Sequence, residues 1–220
     1  WLVIREVLMS KNPRLQLREH AVFAWIPSLT SVSRQALFAG KAPLFFPNSI
    51  ETTDKEPALW TQFWVDQGLL PKNIVYFKGL GNGDVATVAE ALSNPHVRIA
   101  GLVVNTVDTI MHGMVLGSMG MHNLVNQWAK QSYLNTLIEL LLNHGFRIYL
   151  TSDHGNIQAE GCGRPTEGSI ADMRGERARI YSDPVLRSKV KECFPDALEW
   201  GTVGLPENFF ALLAPYRKAF

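Results

Sequence analysis

Apolar residues along the chain alternate between short runs and stripes at helical spacing, a pattern that predicts an α/β fold. Residues 1–20 open with Leu2, Ile4, Val7 and Leu8 on one helix face, and Pro13, in the polar turn after Ser10, stops that helix. The run 21–26, Ala-Val-Phe-Ala-Trp-Ile closed by Pro27, has the length and composition of a strand. Hydroxyls from Ser28 to Ser33 then lead into Ala36, Leu37 and Phe38 and end at Gly40. This is the pattern of a capped helix with a C-terminal glycine, in which Ser31 and Ser33 are expected to cap. Residues 54–68 predict an amphipathic helix with Asp54 as cap and Leu59, Trp60, Phe63 and Trp64 in a core-facing stripe.

Residues 73–78 predict a strand, and the glycine-rich 79–84 a turn opening a helix through Leu92. Those spaced glycines lack the Lys-Ser/Thr of a phosphate loop, so they are read as a turn. The unbroken apolar run 99–107 suits a central strand covered on both faces. Residues 123–143 predict one long helix burying Leu124, Trp128, Leu134, Leu137, Ile138 and Leu141, ended by His144-Gly145. It leads to the strand 146–150, Phe-Arg-Ile-Tyr-Leu, completing a right-handed β-α-β unit. The glycine- and charge-rich segment 161–168 is expected to be a loop more mobile than the sheet and placed to cover a substrate. A strand at 178–181, a helix at 184–193 and a helix or turn at 206–213 complete the series.

Composition narrows the class. The 220 residues, 46% hydrophobic and 19% charged, can bury one sizeable core, and a single domain over 1–220 is expected. A net charge of +1 without a Lys/Arg run gives no footprint for duplex DNA, yet leaves a nucleotide or oligonucleotide substrate open. The two cysteines, Cys162 and Cys193, do not make a disulfide framework and fit a reducing, cytoplasmic setting. No run is long enough for a membrane helix, and the N-terminus lacks a signal-peptide layout. A chain that starts at Trp1 and ends at apolar Phe220 is expected to be a piece of a longer protein.

The candidate chemistry lies at the ends of the predicted strands. Asp153 and His154 follow the strand 146–150, where parallel sheets place their sites, and Gly155 is expected to let the backbone turn sharply behind them. Asp and His suit zinc or manganese, although such a pair is commonly only a hydrogen-bonded structural pair. Asp108 and His112, four apart after the run 99–107, can be aimed at one ion by a helical turn. At the helix start after residue 27, a hydroxyl sits where backbone N–H groups and the helix dipole favour an alkoxide and a bound phosphate. Arg34, one turn on, could bind a phosphate oxygen or brace a neighbouring carboxylate or carbonyl.

Together these segments resemble the alkaline phosphatase superfamily, most closely its PglZ family. In residues 27–40 a nucleophile is followed after four residues by Arg and after ten by Gly, as in Thr30, Arg34 and Gly40. Residues 105–113 resemble the segment that gives one metal its Asp and His, and 151–156 the segment that gives a second metal its own. The resemblance implies a three-layer sandwich with a mostly parallel central sheet flanked by helices. It also implies a metal-dependent phosphodiesterase or phosphatase with two divalent ions, zinc being favoured, about 4 Å apart and sharing one phosphate. Thr30 would be the nucleophile, forming a phospho-threonine, with Thr30, Asp108, His112, Asp153 and His154 as metal ligands; the two pairs should then converge.

Two expected ligands, an Asp after the family's first strand and a late His, have no counterpart here. The resemblance places them upstream of Trp1 and beyond Phe220. A sulfatase would carry Cys or Ser at position 30, and a phosphoglycerate mutase Ser there and a large inserted domain. The remaining alternative is a non-catalytic PglZ interaction module with protein partners in phage resistance or signalling.

Overall fold

A computed structural model describes the chain except Arg14, Asp84, 114–116, 166–172, 175, 176 and 202, and the side chains of Ser118, Met173 and Arg174. In order, the elements are α1 (Leu2–Lys11), α2 (Thr30–Ala39), α3 (Glu56–Asp66), β1 (Ile74–Leu80), α4 (Ala86–Leu92), β2 (Ile99–Val104), α5 (Thr106–His112), α6 (Gly117–Lys130) and α7 (Ser132–Asn143). There follow β3 (Glu160–Gly161), β4 (Met173–Arg174), β5 (Ala178–Tyr181), α8 (Pro184–Cys193), β6 (Leu198–Trp200), β7 (Phe210–Leu213) and β8 (Lys218–Ala219). No described helix is long and apolar enough to cross a membrane. The chain forms two compact units, Trp1–Ala21 with Trp64–Leu150, and Val22–Phe63 with Thr151–Phe220.

The first unit contains a β-α-β arrangement, formed by β1, α4 and β2 and not by the expected run 99–107, helix 123–143 and strand 146–150. β1 and β2 pair in parallel, Ile74 opposite Ile99 and Phe77 opposite Leu102, with α4 as the connection. On α7, Tyr133, Leu137 and Leu141 pack with Val88 and Leu92 of α4, while Leu134 and Ile138 pack with Val7 and Leu8 of α1. Gly145, at φ 77, ends α7. Its N–H donates to the Leu142 carbonyl and that of Phe146 to the Leu141 carbonyl, the paired bonds of a Schellman stop.

Three expectations for this unit are corrected. The single helix 123–143 is two helices, broken at Gln131, whose backbone is extended (φ −63, ψ 165). Lys11 Nζ donates to the carbonyls of Lys130 (2.8 Å) and Gln131 (3.3 Å), giving the end of α6 the partners that helix continuation would have supplied. Leu124, placed on the buried side by its spacing, is 43% exposed. Residues 146–150 join no ladder among the described residues: Phe146 and Ile148 pack inward, whereas Tyr149 is 82% exposed.

In the second unit the antiparallel sheet β4-β5-β7-β6 supplies the core, every residue of β5 being buried. Val32 of α2 packs there with Ile50, Ile180, Leu205 and Ala211. The segment 206–213 therefore ends in a strand, not a helix; a run as short as Phe-Ala-Leu-Leu has no period by which to choose. The expected strand 21–26 is also absent, and Val22 and Phe23 are almost fully exposed. Strand propensity is realised through neighbours, and no described strand pairs with this run. Among the described residues the sheets are several and small, and the architecture is α/β.

Of the expected loop 161–168 the structure describes only 161–165, and 166–168 lie outside the described residues. Its beginning is tied down: Gly161 pairs with Ala219, and the Cys162 N–H donates to the Ala219 carbonyl. Cys162 itself is exposed, not in the core. The neighbouring Glu160 is held below the usual carboxylate range by its hydrogen bond and charge contact with Lys218.

Gly40 has a specific structural reason to be glycine. It follows α2 at φ 59, and a Cβ there would lie 2.5 Å from the Phe63 ring. Gly40→Ala should therefore lower the unfolding free energy by about 1–3 kcal/mol, read from denaturant midpoints. An unchanged midpoint would show that the ring yields freely.

Candidate active site

Thr30 is the first residue of α2, preceded by Leu29 as an N-cap that has no side chain able to accept a hydrogen bond. The expected hydroxyl capping is therefore corrected. The Leu29 carbonyl closes the first turn, accepting from Val32 and Ser33, while Ser33 Oγ donates away from the helix end to the Trp25 carbonyl at 3.1 Å. Helix α2 keeps its rotation through its buried face: Val32 is fully buried, as is Gln35. The Gln35 amide donates to the Ser31 and Ser49 carbonyls and accepts from Ser49 Oγ, so a buried amide is satisfied.

This arrangement sets the Thr30 hydroxyl against a ring nitrogen from the far end of the chain. Thr30 Oγ1 lies 3.2 Å from His154 Nε2. The other ring nitrogen, Nδ1, is 3.0 Å from the Gly155 carbonyl oxygen, which can only accept, so Nδ1 carries a proton and, in the neutral ring, Nε2 presents a lone pair. Thr30 then donates to Nε2, the contact through which a base activates a hydroxyl. Gly155 serves through this carbonyl; the chain bends at Asp153 and His154, and Gly155 is not among the residues at positive φ, so the bend does not draw on glycine's left-handed freedom.

Asp153 is oriented by its neighbour in sequence. Its Oδ1 accepts the His154 backbone N–H at 2.9 Å, which leaves Oδ2 3.8 Å from His154 Nε2. Both side chains are more than four-fifths buried. In the Nδ1–H tautomer, Oδ2 and Nε2 are two lone-pair groups facing one another with no proton between them. A cation would complete that arrangement, and one carboxylate, one imidazole and one hydroxyl are chemically suited to a borderline divalent ion. The donor set therefore fits a metal, although among the described residues no group of three or more His, Cys, Asp or Glu is placed to hold one.

Asp108 and His112 lie in the first unit, on α5. His112 Nε2 is 3.5 Å from Asp108 Oδ1, an i, i+4 pair whose two side chains are more than half exposed. In the second unit Arg34 takes the bracing role: its Nε donates to Glu56 Oε1 at 2.7 Å, with Glu56 fully buried. Glu56 was not legible as a site neighbour, because an acidic residue in the first turn of a helix ordinarily complements the dipole in solvent.

A family model described as a BREX system PglZ alkaline phosphatase-like domain matches residues 1–220. No curated protein matches the chain.

The tautomer is directly measurable. Nitrogen-15 spectra of the neutral His154 ring should show a protonated Nδ1 and a bare Nε2, and Thr30→Val should move the Nε2 resonance while leaving Nδ1 almost unchanged. A proton found on Nε2 would reverse the donor and acceptor in the contact with Thr30.

Proposed function

We propose that this chain, which belongs to the PglZ family of alkaline phosphatase-like domains, is a metal-dependent phosphodiesterase or phosphatase with Thr30 as its nucleophile. The observation that carries the proposal is the Thr30 Oγ1 contact with His154 Nε2 at 3.2 Å, beside Asp153, at a helix N-terminus. Thr30, Asp153 and His154 would hold one ion, and Asp108 with His112 on α5 would be the ligand pair of a second. Bound divalent ions, zinc being the borderline cation these ligands suit, supply a lowered pKa for the nucleophile and neutralise charge on the phosphoryl oxygens.

The chain's own groups account for the remaining requirements. Thr30 Oγ1 must lose a proton to attack; with Nε2 and Asp153 Oδ2 holding the ion beside it, the hydroxyl would react as an alkoxide and release its proton to solvent. The N-terminus of α2 directs backbone N–H groups and its positive dipole end towards the charge that develops there. Attack at phosphorus forms the Thr30 Oγ–P bond as the bond to the leaving oxygen breaks. Water then attacks the phospho-threonine, breaking the Oγ–P bond and restoring the hydroxyl. A threonine at this position favours phosphoryl over sulfuryl transfer, and the substrate is a phosphate ester, with nucleotides and oligonucleotides the class to assay first.

We further propose that residues 1–220 act as one alkaline phosphatase-like domain with the superfamily's sandwich, because the family match runs through both units without a break. Its setting would be a cytoplasmic bacterial phage-defence or signalling system, with protein partners.

The test is hydrolysis of an aryl phosphodiester by the full-length protein, with its metal content measured. Thr30→Ala should lower turnover by several powers of ten. Its fold should survive, because Leu29, not Thr30, occupies the N-cap position and the Leu29 carbonyl closes the first turn. Ser33→Ala should keep wild-type turnover and lose about 1 kcal/mol of stability with its bond to Trp25. Wild-type turnover by Thr30→Ala would remove Thr30 from the chemistry. A full-length protein that binds no metal and turns over no ester, with Asp108, His112, Asp153 and His154 intact, would be an interaction module instead.

A further inference from the structure

Arg34 and Thr30 are four residues apart on α2, so their side chains leave the same side of the helix one turn from each other. The Arg34 side chain is 14% exposed, and its charge is met by Glu56, whose side chain is 0% exposed, through a single contact from Nε at 2.7 Å. Among the described residues Arg34 has no other hydrogen-bond or ion-pair partner. A guanidinium carries its donors in a rigid plane, so a carboxylate fixed at Nε fixes the direction of the opposite edge, where Nη1 and Nη2 form a two-pronged fork. That fork matches two oxygens of a phosphoryl group.

Burial makes this contact more than a surface pair. An ion pair taken out of water gains little net stability over apolar side chains of the same size, so stability alone does not account for a charged pair here. What such a pair does supply is a fixed geometry, and the group whose geometry it fixes stands one turn from the candidate nucleophile. We propose that Glu56 is a positioning residue: it holds Arg34 by Nε so that the Nη1/Nη2 edge receives two phosphoryl oxygens of the ester attacked by Thr30. This rests on the phosphoryl-transfer function proposed above and adds the means by which its substrate is oriented. Arg34 would contact substrate; Glu56 would act only through Arg34.

The probe is inorganic phosphate, titrated calorimetrically into the full-length protein, beside steady-state hydrolysis of the aryl phosphodiester. Glu56→Gln, which keeps the shape and removes the charge, should weaken phosphate binding about tenfold or more, the scale of one well-placed charged hydrogen bond. Arg34→Lys should do the same, because an ammonium replaces the fork with a point charge. Combining the two changes should cost little beyond either alone, since both remove one device. Should Glu56→Gln fail to fold, Glu56→Asp keeps the charge but withdraws it from Nε, and weaker phosphate binding by a protein with wild-type circular dichroism is again expected.

Wild-type phosphate affinity in a folded Glu56→Gln or Glu56→Asp variant, with a lowered melting temperature alone, would overturn the proposal and leave Glu56 a structural residue. That result would not touch the phosphoryl-transfer function, which stands or falls on Thr30→Ala. A wild-type protein that binds no phosphate would overturn the positioning role whatever the variants do.

Discussion

The burial of one face of α2 sets the rotation of the helix that carries both Thr30 and Arg34. Val32 enters the second unit's core beside Ile180 and Ala211, and Gln35, equally buried, has its amide bonded to Ser31 and Ser49. An apolar contact alone would tolerate some rolling of the helix, whereas a buried amide with directional partners would leave groups unpaired if the helix turned. The helix is thereby held in one rotation. From that orientation follow the approach of the Thr30 hydroxyl to His154 and the reach of Arg34 to Glu56.

A second regularity is that each polar group at this helix end is oriented by a partner that leaves another of its atoms facing outward. Gly155 takes His154 Nδ1, the His154 backbone takes Asp153 Oδ1, and Glu56 takes Arg34 Nε. Outer partners of this kind fix ring tautomers and carboxylate directions in metal and phosphate sites. The Asp108–His112 pair differs. Its two members meet each other on an exposed stretch of α5, so its arrangement is that of a local helical pair.

The outer groups also separate two roles that glycine and serine share in the sequence pattern. Gly40 belongs to the spacing that singles out Thr30, yet in the structure its backbone ends α2 and its missing Cβ makes room for Phe63. Ser33 looked like a cap and is a buried hydroxyl tied to the Trp25 carbonyl. Membership in a motif thus follows from packing at one position and from chemistry at another.

Helical stripes were readable because a period of 3.6 repeats over enough residues to declare itself, as in α1, α2, α7 and α8, and β1, α4 and β2 were each readable as elements, while their pairing was not. The candidate residues were readable too, since Thr30, Asp108, His112, Asp153 and His154 are the residue types that phosphoryl transfer and divalent ions require. What the sequence could not decide depends on neighbours distant along the chain. Residues 21–26 and 146–150 have strand composition, but a strand exists only through hydrogen bonds to another, and no described strand supplies them. The break at Gln131 is met by a lysine from α1, and the 3.2 Å contact joins residues 30 and 154. Glu56 acquires its meaning only by being buried against Arg34, because a carboxylate's partner and its exposure are properties of the folded chain.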